Sequence, residues 1–75
     1  MRSLKEIDQL IDEIADRHGL TAKELKSASR ETFIVLTRKK CMQALRAEGY
    51  TYEAIGWIFN RHHTTVMYAL GDIKK

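Results

Sequence analysis

The run Arg61-His62-His63-Thr64-Thr65 gathers a guanidinium, two imidazoles and two hydroxyls into five consecutive positions. Held at one end of a helix, such groups can hydrogen-bond base edges or phosphate oxygens. A threonine methyl can also pack on the methyl of thymine. A second concentration lies upstream. Arg30, Arg38, Lys39, Lys40 and Arg46 fall within 17 residues in which Glu31 is the sole acid. Lys and Arg in that density neutralise phosphates without reading sequence. Each cluster has a plainer reading, as a helix cap with polar surface or as a solvated helix face. Their agreement at two separate places favours a polyanionic partner. Charge along the chain points the same way. Residues 1–25 hold four Lys/Arg against six Asp/Glu, and residues 26–75 hold nine against four. The acidic part is expected to face away from the polyanion.

Other chemistry finds little support. His62, His63 and Cys41 are the only plausible metal or nucleophile set. Adjacent histidines on a helix point about 100° apart, a poor chelate. No base stands at recognisable spacing from a nucleophile. No enzyme activity, metal, cofactor or small-molecule substrate is expected. A single cysteine excludes an intrachain disulfide, and Cys41 reads as a small buried hydrophobe. The longest apolar run, residues 33–36, is far too short to cross a membrane. The first residues lack the apolar stretch of a signal peptide. A cytoplasmic location without a membrane partner is expected.

The elements that must position these groups are helices. With 75 residues and no proline, the chain reads as one domain. Leu4, Ile7, Leu10, Ile11 and Ile14 recur at helical spacing, giving a first helix of about four turns. Gly19 supplies a left-handed cap. Thr21 and Glu24 form a capping box ahead of a second helix at 22–27. Residues 27–30 are a connection. A third helix begins somewhere in 31–35 and continues to 48, with Leu36, Cys41, Ala44 and Leu45 apolar and Val35 and Met42 beside them. Gly49 ends it and Thr51 caps a fourth helix at 52–59. A fifth helix at 62–74 carries Val66, Ala69, Leu70 and Ile73 as its core stripe. No strand alternation appears. The expectation is an all-α, compact five-helix domain containing a helix-turn-helix at about 51–74.

That last assignment needs more than two short helices. They must approach closely, which favours Gly56. The turn needs a residue tolerant of positive φ, which Asn60 provides. The last helix must bury one stripe against Ile55 and Phe59, and Val66 and Ala69 are spaced to do so. His63, Thr64, Thr65 and Tyr68 then lie on other faces of the last helix, toward its start. Unpaired backbone N–H groups and a partial positive charge make that end a seat for phosphate, with Arg61 just ahead of it.

The run Ala54-Ile55-Gly56-Trp57-Ile58-Phe59-Asn60-Arg61-His62-His63-Thr64-Thr65-Val66-Met67-Tyr68-Ala69 resembles the signature of the C-terminal DNA-binding domain of the bacterial replication initiator DnaA. That family reads roughly I-G-x-x-F-G-x-R-D-H-T-T-V-x-x-A. Segments 10–25 and 39–45 also follow its pattern, so the resemblance covers about residues 7–74. It implies a Trp-repressor-like helix-turn-helix fold and double-stranded DNA as partner. It also implies base reading in the major groove by His63, Thr64 and Thr65. An arginine entering the minor groove is implied as well, with Arg30 the nearest match, as are phosphate and base contacts from Lys39 and Lys40.

Departures from the family pattern shape what else is expected. His62 stands where the family has an acid, and an imidazole accepts from cytosine N4 less well than a carboxylate. Glu31-Thr32-Phe33-Ile34-Val35 stands where the family is rich in arginine, and Phe33 and Ile34 either extend the core or form a patch for a partner. The chain holds no G-x-x-x-x-G-K-[ST] phosphate loop. It is therefore an excised domain or a free-standing relative. Met1 and the acidic first helix favour the latter, and its size suggests a phage or prophage protein. Replication control and transcriptional regulation are both open. The alternative function is a helical interaction module without DNA binding, anchored through Phe33, Ile34, Trp57 and Tyr50. A homodimer or a larger protein partner is compatible with either reading.

Overall fold

A computed structural model describes residues 4–71. Five helices follow one another, α1 (Leu4–Arg17), α2 (Ala22–Lys26), α3 (Thr32–Ala47), α4 (Tyr52–Phe59) and α5 (His63–Ala69). There is no strand among the described residues. The expected all-helical, helix-turn-helix architecture is the one observed.

Local chemistry sets most boundaries. In α1 the residues Ile7, Ile11 and Ala15 face the core and the acids face out. A Schellman turn closes the helix, with Leu20 N–H donating to Ala15 O at 2.8 Å and Gly19 N–H to Asp16 O at 3.1 Å. The capping box of α2 forms as expected. Glu24 N–H donates to Thr21 Oγ1 at 3.2 Å, and Thr21 N–H donates to Glu24 Oε1 at 3.1 Å. The same closing turn ends α3, where Tyr50 N–H donates to Leu45 O. Thr51 caps α4 by accepting from Ala54 N–H at 3.1 Å.

The core joins Ile7, Ile11, Leu25, Leu45, Ile55, Phe59 and Val66 from all the helices. Four sequence expectations need correction here. Val35 and Leu36 are exposed, because α3 turns Ile34, Thr37, Cys41, Met42 and Leu45 inward instead. Thr37 tolerates burial by donating its hydroxyl to Phe33 O at 2.9 Å. Ile34 and Tyr50, read as candidate partner anchors, are both core residues. Arg38, expected with Lys39 and Lys40 on a basic surface that neutralises phosphates, is only 7% exposed. Finally, α5 stops at Ala69 instead of running on to residue 74. Gly71 adopts φ +76 and donates to Tyr68 O at 3.1 Å, which turns the chain out of the helix. Ile73 and Lys74 lie outside the described residues. Cys41 is buried, and that burial pushes its thiol up to about 11, so it has no reactive thiolate near neutral pH.

Candidate nucleic-acid interface

The corner between α4 and α5 decides where the last helix points. Asn60 holds φ 54 and ψ 47, the left-handed conformation its short amide side chain tolerates. The closing bonds run from Arg61 N–H to Gly56 O at 2.7 Å and from Asn60 N–H to Trp57 O at 3.2 Å. The chain therefore folds back directly over Gly56. A Cβ at that position would collide with the Arg61 carbonyl oxygen and lie 3.4 Å from His63 N. Gly56 is thus the residue on which the corner closes.

Beyond the corner, α5 packs on α4, burying Val66 completely, and makes no comparable contact with α1. Its first residues stay accessible. His62 and Thr65 are exposed, and His63 and Thr64 are half-buried. His62 is the N-cap, its Nδ1 accepting from Thr64 N–H at 3.2 Å. The side chain that replaces the family's acid thus performs the acceptor role of a cap. The His62 and His63 rings lie 4.3 Å apart at 34°.

Two open grooves flank this helix end. One, of about 500 Å³, runs along α4 and the corner past Glu53, Trp57, Asn60, His62 and His63. The other, of about 350 Å³, lies between α5 and α3 and is lined by Lys39, Arg61, Thr65 and Tyr68 among others. Thr65, Tyr68, Lys39 and Arg61 are therefore brought together, although 29 positions separate Lys39 from Tyr68. Trp57, 72% exposed beside His63, belongs to this surface as well. Sequence reasoning gave it only a partner-anchoring role. Its position at the outer turn of the first helix of the motif was the available signal.

The basic residues divide into distinct fates. Lys39 is exposed in the α3–α5 groove, and Arg30 is exposed on the loop before α3. Lys40 turns about 100° around the helix axis from Lys39, its Nζ 3.3 Å from His18 Nε2 at the end of α1. Arg46 donates to Tyr50 O at 2.9 Å and lies over the Tyr52 ring. Arg38, expected among the phosphate contacts, is committed to the fold. Its Nε donates to Leu25 O at 2.6 Å, and its Nη2 donates to Ser27 O at 2.9 Å and Ser29 O at 3.2 Å. Burial, and then the neighbouring Arg61, lower its pKa from the ordinary arginine value. Arg61 also donates to Ser27 O, and to Phe59 O at 2.8 Å. Two guanidiniums thus converge on one carbonyl. They tie the loop that carries Arg30 to both α3 and the corner, across 34 residues in the case of Arg61.

A short helix, a left-handed corner over a glycine and a second helix with an accessible tip define a helix-turn-helix domain. Residues 7–73 match the family model for the bacterial dnaA protein helix-turn-helix, and the chain belongs to that family. Membership makes DNA binding its class of function. No curated protein and no solved structure matches the chain. Among the described residues no group of three or more His, Cys, Asp or Glu could hold a metal ion, and no helix is long and apolar enough to cross a membrane.

Proposed function

We propose that the chain binds double-stranded DNA sequence-specifically as one non-enzymatic domain, with α5 lying in the major groove. The observation that carries this reading is the accessible start of α5, which packs on α4 rather than on the acidic α1 and is bordered by Lys39 and Arg61. In this reading His63, Thr64 and Thr65 meet base edges, and Tyr68 borders them one turn on. Lys39 neutralises a phosphate and Arg30 reaches the adjoining backbone or minor groove. His62 shapes the tip by capping it, and Arg61 holds the Arg30 loop against the corner. Lys40 contributes charge at the margin. Arg38 supports the loop from within and touches no DNA. The setting is control of replication initiation or of transcription, in the cytoplasm, in a phage or prophage context. A single module covers few base pairs, so a second copy or a larger protein on an adjacent site supplies the remaining affinity.

Selection from a random duplex library tests the reading. A defined consensus is expected. His63→Ala and Thr64→Ala then reduce preference for the selected over random duplex. Lys39→Ala weakens both alike and lowers the salt slope by about one. Equal losses on every sequence from all three variants would refute the division of roles. The second reading, an interaction module without DNA binding, draws on exposed Phe33 and Trp57. It requires that random duplex fail to bind even at low salt.

A further inference from the structure

The N-terminal half of α3 exposes large apolar side chains on the surface that also holds Lys39. Phe33 is 53% exposed and Leu36 54%, one turn apart, with Val35 exposed beside them. Leu36 and Lys39 line two grooves at once. One, of about 340 Å³, lies toward the end of α1 and holds His18, Phe33 and Lys40. The other is the α3–α5 groove of about 350 Å³, holding Val35, Met42 and Tyr68. Leu36 is therefore a ridge with an apolar-floored trough on either side.

Among the described residues, the Lys and Arg side chains that line the two troughs have no acidic counterpart in either lining. Lys39 and Lys40 line the first groove, and Lys39, Arg38 and Arg61 line the second. A DNA backbone would satisfy the cations but give Phe33 and Leu36 nothing to pack on. A second copy docking through the same ridge would set Lys39 and Lys40 against their own kind. A partner that satisfies both features carries apolar anchors flanked by carboxylates. Anchors repeating at helical spacing fit a ridge between two troughs.

We propose that this ridge docks an acidic amphipathic helix of a partner protein, which competes with DNA for Lys39. Docking stands on the ridge alone, and only the competition rests on the DNA-binding reading. The test starts with a display library of randomised 16-residue peptides selected on the wild-type protein. Recovered peptides are expected to be rich in Asp and Glu, with two or three aliphatic or aromatic residues at i, i+3 and i+7. Synthetic copies, followed by fluorescence anisotropy, should bind Leu36→Ser and Phe33→Ser at least about tenfold more weakly. Both positions are more than half exposed, so both variants should keep the wild-type unfolding midpoint, and Phe33→Ser, which lies outside the α3–α5 groove, should also keep the wild-type duplex affinity. The peptide should displace duplex DNA from the wild-type protein. Recovery of no peptide, of basic peptides, or of peptides indifferent to both substitutions would overturn the proposal. So would a Leu36-dependent dimer at the same protein concentration, or Leu36-dependent binding to phosphatidylglycerol vesicles, since each assigns the ridge another occupant. Peptide docking without competition, in a protein that also fails to bind random duplex, would sink the DNA reading and leave the docking site standing.

Discussion

The corner between α4 and α5 and the junction of the 27–31 loop with α3 are both built around polar residues, but they obey different rules. At the corner every decisive contact is local. Asn60 turns the chain, Gly56 accepts the returning backbone, and His62 caps the helix two residues later. At the loop junction the decisive contacts are distant. Arg38 reaches back 13 residues to Leu25 O, and Arg61 reaches back 34 to Ser27 O. Near neighbours in sequence therefore do unlike work. Arg38 is held inside by carbonyl oxygens, Lys39 is exposed in a groove, and Lys40 leans on His18. A run of basic residues is thus no measure of how much charge reaches a ligand.

Substitutions at the two places should separate these rules. The largest effect is expected from Gly56→Ala. Its methyl meets backbone that cannot move without opening the corner, so stability should fall by about 2–3 kcal/mol. Duplex binding should be lost together with the stability. Chemical denaturation measures this, and a wild-type midpoint would show that the corner is looser than its geometry. Next comes Arg38→Ala, which strips donors from three carbonyls and should cost about 2 kcal/mol. Its neighbour Lys39→Ala should stay within about 0.5 kcal/mol of wild type while weakening DNA binding. If the two substitutions cost the same stability, the contrast between the buried and the exposed cation fails. The smallest destabilisation among the structural positions belongs to Asn60→Ala. Placing an ordinary side chain in the left-handed region should cost about 1 kcal/mol, whereas Asn60→Gly should be near neutral. A Tm series resolves the pair, and equal values would remove positive φ as the reason for asparagine.

The same contrast explains what the sequence made legible. The corner was readable because glycine, asparagine and threonine act on backbone within a few residues of themselves. The capping box of Thr21 and Glu24 and the cap at Thr51 were readable for the same reason. The end of α5 was not, because Val66, Ala69, Leu70 and Ile73 keep helical spacing across a glycine. Gly71 ends the helix as Gly19 and Gly49 end theirs, with a left-handed φ, but the apolar spacing that continues past it hid the signal. The inward face of α3 also escaped, since Thr37 and Arg38 are polar and their burial depends on acceptors elsewhere. Val35 and Leu36 looked like core by type, yet they sit on the outer side of the helix. For the site, the accessible tip and Lys39 followed from pattern. The diversion of Arg38, Arg61 and Lys40 required the fold.

The central claim is that the start of α5, together with the Lys39 groove, is the surface that meets duplex DNA. Amide chemical-shift mapping with a duplex taken from the random-library selection addresses it most directly. The account predicts shifts at residues 61–68, at Lys39 and in the 27–31 loop, with α1 unmoved. Shifts confined to α1 and α2, with residues 62–65 silent, would contradict it.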